Sequence, residues 1–193
     1  LFNLRRMLMN KSFIIKIIVL CLVTIKVSAI EKVILFGDSL MAGYGLPKEQ
    51  HLSVVLQNSL EVEGHNIEII NGSVSGSTSS GGLNIAEWTL SQSNIDLMIL
   101  CLGANDMLRG INPKETKNNL EEIVQIAKNR NMKKIIAGMI APTSYGSEYK
   151  ESFDKIFFNL SKEYNLQLIP FLLEGVAQKP EFNLSDGMHP NDQ

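Results

Sequence analysis

The chain is predicted to be an α/β protein, with a three-layer α/β/α architecture around a five-stranded parallel sheet. Short apolar runs alternate with longer segments whose apolar residues recur at helical spacing, a pattern typical of helices that cover both faces of a parallel sheet. The connections are short, and the 193 residues contain no internal repeat or linker. We therefore expect a single domain, long enough to bury a sizeable core without disulfides.

Five short runs rich in β-branched and apolar residues are predicted to be the strands. They lie at residues 33–36, 67–70, 95–102, 133–140 and 167–169. The third run is apolar almost throughout after Asp96, as expected of a strand that is covered on both faces.

Four helices are predicted between these strands: residues 47–63, a segment through Trp88 and Leu90, residues 113 to about 130, and residues 148–164. The first has Pro47 near its start and Gly64 just past its end, which is the usual placement of these two residues. Residues 170–177 are expected to form a short helix or turn, and residues 183–189 a final loop. Polar loops follow the first three strands, beginning at residues 37, 71 and 103. Because the carboxyl ends of parallel strands share one edge of a sheet, these loops can form a composite site.

Charge is distributed unevenly along the chain. Residues 1–29 hold five basic groups and no acidic group, whereas the remaining residues hold thirteen basic and twenty acidic groups, a formal charge of −7. An acidic body of this kind argues against nucleic acid or an anionic membrane surface as the main partner.

The first 29 residues have the pattern of an export signal. A basic start is followed by an apolar run at residues 17–25 and by the small-residue site Val27-Ser28-Ala29. Nine residues are too few to span a bilayer, which needs roughly 20. The alternative, an anchor over residues 12–30, would have to include two lysines. We expect cleavage near Ala29, a mature domain at residues 30–193 without a stable membrane anchor, and a periplasmic or secreted location. Finding the mature protein only in the cytosol would contradict this.

A serine and a histidine suggest nucleophilic chemistry. Ser39 follows the first buried strand directly, where a nucleophile could lie if a base and oxyanion donors were supplied. His189 could be that base, with Asp186 three residues earlier to orient its ring. The alternative is a purely structural role, in which Ser39 caps the helix that follows it. Ser39 does not lie in a Gly-x-Ser-x-Gly elbow, so the α/β-hydrolase fold is excluded on its motif.

Four sequence blocks occur in a recognisable order. They are Gly37-Asp38-Ser39-Leu40, Gly76 at the end of residues 71–76, Gly103-Ala104-Asn105-Asp106, and Asp186-Gly187-Met188-His189 followed by Pro-Asn. Together they resemble the blocks of the SGNH (GDSL) hydrolase superfamily, in its bacterial thioesterase I/arylesterase/lysophospholipase branch. The resemblance covers essentially residues 31–193.

This resemblance implies a flavodoxin-like sheet and an oxyanion hole. The hole would be made of the Ser39 backbone N–H, the Gly76 backbone N–H and the Asn105 side-chain amide. It also implies chemistry that needs no cofactor, and the sequence has no cluster of Cys, His and Asp at metal-ligand spacing. The family continues for another helix after its His-Pro-Asn block, whereas this sequence stops at Gln193. We therefore expect it to be a fragment.

The function implied is that of a serine hydrolase cleaving acyl esters and thioesters through an acyl-enzyme intermediate. Aryl esters, fatty acyl thioesters and lysophospholipids are the small-molecule substrates that the resemblance suggests. Two alternatives stay open: a carbohydrate or peptidoglycan O-deacetylase of the same superfamily, and a noncatalytic binding module on this scaffold.

Several further residues receive a predicted place. Asp38 and Asp106 are expected to brace their own loops, and Arg109 either forms a loop salt bridge or meets an anionic substrate group. His51 and His65 are expected at the surface, and Cys101 as a buried structural thiol. The loops that would wall an acyl pocket contribute Leu108, Arg109, Ile111, Pro142 and Tyr145.

Overall fold

The computed structural model describes residues 30–92 and 94–193. The predicted signal segment, residues 1–29, lies outside this part of the chain. Among the residues that are described, no helix is both long enough and apolar enough to cross a membrane.

The sheet has the predicted five strands, all parallel, in the order β2-β1-β3-β4-β5. The strands are β1 Lys32–Gly37, β2 Glu68–Asn71, β3 Leu97–Cys101, β4 Lys133–Ala137 and β5 Gln167–Ile169. This is the flavodoxin-like strand order. The fourth strand is shorter than predicted because the chain packs tightly just beyond it: a Cβ on Gly138 would lie 2.4 Å from the Pro170 carbonyl oxygen.

In the described part of the chain, six α-helices surround the sheet. They are α1 Ser39–Ala42, α2 Leu52–Val62, α3 Ser79–Thr89, α4 Ala104–Leu108, α5 Pro113–Asn129 and α6 Ser147–Tyr164. Helices α3, α5 and α6 pack side by side, whereas α1 and α2 contact each other and α2 contacts β2. With the right-handed crossovers that parallel strands almost always have, this strand order puts the two groups on opposite faces of the sheet. The three-layer prediction is thus confirmed.

The predicted helix at residues 47–63 is wrong in one respect, because it is two elements. A 3-10 turn at Lys48–Gln50 precedes α2, and His51 between them has extended backbone angles. The predicted loops after β1 and β3 are also incomplete descriptions, since each contains a short helix, α1 or α4. These helices were not predicted because both segments are rich in Gly, Asn and Asp, which are typical of turns.

His51 is half-buried rather than at the surface. Its Nε2 lies 3.1 Å from the Leu46 carbonyl oxygen, and its ring fills the space where a Cβ on Gly43 would be. The prediction failed because His51 fixes the turn before α2 instead of lying along a helix. His65 is exposed and Cys101 is fully buried, as predicted. Burial also raises the pKa of the Cys101 thiol.

Candidate active site

Ser39 lies at the carboxyl edge of the sheet, where β1 turns into α1. Gly37 ends β1 so close to β3 that a Cβ on it would lie 2.5 Å from the Cys101 carbonyl oxygen. The Asp38 N–H donates to that same oxygen at 3.3 Å, and the Asp38 side chain accepts from the Leu40 N–H at the start of α1. Ser39 is therefore the first residue of a helix anchored to the two central strands.

The structure brings Ser39, His189 and Asp186 together. The Ser39 Oγ lies 2.8 Å from His189 Nε2, and His189 Nδ1 lies 2.7 Å from Asp186 Oδ2. Hydrogen bonds from the His189 and Met188 N–H groups lower the pKa of Asp186 to about 2. An ionised carboxylate only accepts hydrogen bonds, so Nδ1 carries the imidazole proton and Nε2 is free to accept from the Ser39 hydroxyl.

One turn carries both His189 and Asp186, and a few contacts tie that turn to the domain. The Leu184 N–H donates to the His189 carbonyl at 2.7 Å, and the Asn191 N–H donates to the Phe182 carbonyl at 2.9 Å. The Tyr44 ring packs against the imidazole, with ring centroids 4.5 Å apart. These contacts keep the imidazole above Ser39 although neither a helix nor a strand carries it.

Two backbone N–H groups near the Ser39 hydroxyl are left without an acceptor among the described residues. Neither the Ser39 N–H nor the Gly76 N–H donates a hydrogen bond to any other described residue, and both residues line the same cavity. Gly76 has a φ of +78°, a conformation in which a side chain would be strained. The Asn105 side chain lines this cavity too, and its Nδ2 donates to the Ser77 carbonyl oxygen at 3.1 Å.

Asp106 links three helices near the cavity through its side chain. Its fully buried carboxylate accepts hydrogen bonds from the Ser79 N–H at 2.7 Å, from the Ser79 hydroxyl, and from the Thr116 hydroxyl at 3.2 Å. The prediction that Asp106 braces its own loop is wrong in detail, since these side-chain bonds join α4 to α3 and α5. Helix α4 also carries Asn105, so the network fixes the helix from which that amide projects.

Asp38 is also fully buried. Its Oδ1 accepts from the Leu40 N–H at 3.1 Å, and its Oδ2 lies 3.4 Å from Asn105 Nδ2. Burial raises the pKa of Asp38 to about 6, although the bond from Leu40 and the charge of His189 oppose the shift.

A cavity of about 1150 Å³ opens next to Ser39. Of the residues predicted to wall an acyl pocket, Leu108 and Pro142 line it, whereas Arg109, Ile111 and Tyr145 lie outside its lining. The apolar lining residues that sequence reasoning missed include Tyr44, Ile140, Phe171, Leu173 and Met188. Tyr44 follows the first motif block and Met188 lies within the last one, which was an available signal; Ile140, Phe171 and Leu173 carry none.

Arg109 forms no ion pair with any carboxylate in the described part of the chain. Its Nη2 donates instead to the Gly76 carbonyl oxygen at 3.1 Å. The predicted loop salt bridge is therefore replaced by a bond to the loop that carries a free N–H. Residues 30–92 and 94–193 hold no group of three or more His, Cys, Asp or Glu side chains suited to a metal.

The sheet topology and the Ser–His–Asp geometry are together those of a serine hydrolase built on a flavodoxin-like fold. Consistently, residues 35–193 match the model of the GDSL-like lipase/acylhydrolase family. The chain belongs to this family and is an ester hydrolase.

Named relatives agree with this assignment. The chain is 38% identical over 165 residues to an arylesterase of Vibrio mimicus, covering 86% of this chain and 82% of the relative. It is 34% identical over 172 residues to thioesterase 1/protease 1/lysophospholipase L1 of Escherichia coli K12, covering 89% of this chain and 81% of the relative. Among solved structures, the SGNH-hydrolase family esterase AlinE4 superimposes with a TM-score of 0.79 at 38% identity, covering 86% of this chain and 89% of that one.

Proposed function

We propose that this protein hydrolyses acyl esters and thioesters through an acyl-enzyme intermediate on Ser39. The observation that carries the proposal is the continuous contact chain from Ser39 Oγ through His189 to Asp186, with distances of 2.8 and 2.7 Å. Distances in this range allow a proton to pass from the hydroxyl to the imidazole during attack.

The reaction would proceed in two halves. The Ser39 Oγ attacks the substrate carbonyl carbon while His189 Nε2 takes the hydroxyl proton, and ionised Asp186 stabilises the imidazolium that forms. The tetrahedral oxyanion accepts hydrogen bonds from the Ser39 N–H, the Gly76 N–H and the Asn105 amide. The imidazolium then protonates the leaving alcohol or thiol. A water molecule, deprotonated by His189, attacks the acyl-enzyme in the same way and releases the acid.

The lining of the cavity favours a substrate whose acyl group is apolar and binds there. Apolar side chains from separate segments of the chain, including Leu108, Ile140, Phe171 and Met188, line the space next to Ser39. Burial of an alkyl chain there would contribute about 0.8 kcal/mol for each CH₂ removed from water. With the names of the relatives, this favours aryl esters, fatty acyl thioesters and lysophospholipids as substrates.

The test is hydrolysis of p-nitrophenyl esters of increasing acyl length. Wild type should turn over these esters, and Ser39→Ala should lose at least about 10³-fold in kcat, as expected when a nucleophile is removed from a triad. Ser59→Ala, which changes an exposed serine on α2, is the matched control and should match wild type. Equal rates for wild type and Ser39→Ala would contradict the proposal.

Two results separate the alternatives. An optimum restricted to acetyl esters would favour the O-deacetylase, whereas rates that rise with chain length favour the acyl esterase. A fluorophosphonate probe addresses the binding module: labelling that is present in wild type and absent in Ser39→Ala indicates an activated serine. A folded wild-type protein that stays unlabelled would favour the noncatalytic module.

A further inference from the structure

The Asn105 side chain can donate a hydrogen bond to the acyl site only if its amide is turned in one of two orientations. An asparagine can present either its oxygen or its nitrogen to a site, and only the nitrogen donates. In this structure Nδ2 lies between two acceptors, the Ser77 carbonyl oxygen at 3.1 Å and Asp38 Oδ2 at 3.4 Å. A flipped amide would place its oxygen against both acceptors.

Asp38 is well placed to enforce this choice. Its side chain is fully buried, and its Oδ1 is already held by the Leu40 N–H. The second carboxylate oxygen is thereby fixed towards Asn105. Because Asp38 directly precedes Ser39, one carboxylate joins the helix of the nucleophile, α1, to the helix of the amide donor, α4.

We propose that Asp38 is a positioning residue that keeps the Asn105 amide with its Nδ2, rather than its carbonyl oxygen, beside the acyl site. The inference rests on the proposed function, because it concerns the donor offered to the oxyanion. The contact of 3.4 Å is longer than an ordinary N–H···O bond. It orients the amide while leaving the second hydrogen weakly bound, so that a developing oxyanion can take it.

Two other roles for Asp38 make different predictions. If it only caps α1, asparagine will replace it without loss, because Asn is as good an N-cap as Asp. If its charge acts on His189 directly, loss of that charge will lower the rate whether or not Asn105 is present. Orientation of the amide alone requires that the effect of Asp38 disappear when the amide is removed.

Asp38→Asn is the informative substitution. Its Oδ1 can still accept from the Leu40 N–H, but its NH₂ then faces the NH₂ of Asn105, so the Asn105 amide must turn or withdraw. We expect kcat on p-nitrophenyl butyrate to fall about 100-fold with KM changed less than about threefold, since loss of one oxyanion donor costs about 10²–10³ in rate. Asn105→Ala should show a similar loss. In the Asn105→Ala background, Asp38→Asn should lower kcat by less than about threefold.

Asp38→Ser is the second variant. Serine keeps a capping oxygen but is too short to reach Asn105 and presents no opposing donor, so the Ser77 carbonyl still holds the amide. We expect a loss of less than about tenfold, smaller than that of Asp38→Asn, from weakened orientation alone. Thermal melts of all variants establish that each is folded at the assay temperature.

Three results would overturn the proposal: an Asp38→Asn enzyme within threefold of wild type, an Asp38→Asn loss that is the same in the wild-type and Asn105→Ala backgrounds, or a larger loss in Asp38→Ser than in Asp38→Asn. Ser39→Ala separates this failure from that of the proposed function. Wild-type turnover that depends on Ser39 combined with additive Asp38 and Asn105 effects rejects only the positioning role. Turnover that is independent of Ser39 rejects both.

Discussion

The two sides of the active site are built differently. On the nucleophile side, Asp38 and Asp106 are fully buried, and their bonds link helices that pack on the sheet. On the base side, His189 and Asp186 lie on a turn in a segment without an α-helix or strand, and the Asp186 side chain keeps 31% of its exposure. The first side is part of the core, whereas the second is attached to it.

This difference separates stability from activity. Changes on the nucleophile side should disturb both, because the same bonds hold the helices and the donors. Changes on the base side should disturb activity with little effect on folding, because few buried bonds depend on that turn.

The largest effect is expected on the base side. Asp186→Ala removes the carboxylate that orients the imidazole, so kcat should fall by about 10³–10⁴. The melting temperature should fall by less than about 4 °C, since a loss of ~1 kcal/mol corresponds to roughly 2–4 °C in a chain of this size. Rates and melts check this.

Asp192→Ala is the matched control for that experiment. Asp192 lies in the same segment, but its contact is with Gln50 Nε2 at 3.0 Å. Its rate should stay within about threefold of wild type, as for most surface substitutions. A large fall in the melting temperature of Asp186→Ala would mean that the base side is structural after all.

The next effect concerns stability on the nucleophile side. Asp106→Ala leaves the Ser79 N–H and the hydroxyls of Ser79 and Thr116 without their buried acceptor. At the lower end of about 1–3 kcal/mol for each of these three groups, the free energy of unfolding should fall by about 3–5 kcal/mol. Urea denaturation measures this loss.

Asp96→Ala offers a comparison at the opposite edge of the sheet. Asp96 accepts from the Glu31 and Lys32 N–H groups near the amino end of β1 and is only half-buried. Its removal should cost about 1–2 kcal/mol, because water can replace it. If the two variants lost the same free energy, the Asp106 network would not be the stronger brace.

The last comparison is the pH dependence of stability, which has opposite signs on the two sides. Burial raises the pKa of Asp38 from 3.8 to about 6, so the folded state holds this proton more tightly and stability falls as pH rises from about 4 to 6. Hydrogen bonds lower the pKa of Asp186 to about 2, so its contribution is present above about 4 and is lost as pH falls towards 2.

The expected size is about 3 kcal/mol for Asp38, at about 1.4 kcal/mol for each pKa unit. For Asp186 we expect about 1 kcal/mol, because solvent screens a partly exposed carboxylate. Unfolding free energies from pH 2 to 7 check both. Asp38→Asn should lose the wild-type fall in stability between pH 4 and 6, and Asp186→Asn should lose the wild-type rise between pH 2 and 4. Parallel curves for wild type and Asp38→Asn would contradict the buried-charge explanation.

Much of the fold followed from local sequence. The strands were predicted because buried parallel strands are short apolar runs, and the motif residues at their carboxyl ends do come together: Ser39, Gly76 and Asn105 line one cavity. The structure also places His189 against Ser39, although their roles in catalysis are still a proposal.

What sequence reasoning missed depends on contacts that a periodic pattern does not show. His51 looked like a surface helix residue because the helical spacing of its neighbours does not reveal that its ring folds back onto Gly43. Asp106 was assigned to its own loop because its partners Ser79 and Thr116 lie on other helices. Phe171 and Leu173 line the cavity without any local pattern, since pocket walls are set by where loops meet in space.

The hydrogen bond between Ser39 and His189 joins residues 150 positions apart. Closing so long a loop costs more entropy than forming the neighbouring strand pairs, so this contact should be among the last to form as the chain folds. Until it does, Ser39 already lies beside β3 in a folded sheet, but nothing takes its proton. We therefore expect reactivity to arise only at the end of the folding process, so that an incompletely folded chain leaves the acyl groups it meets intact.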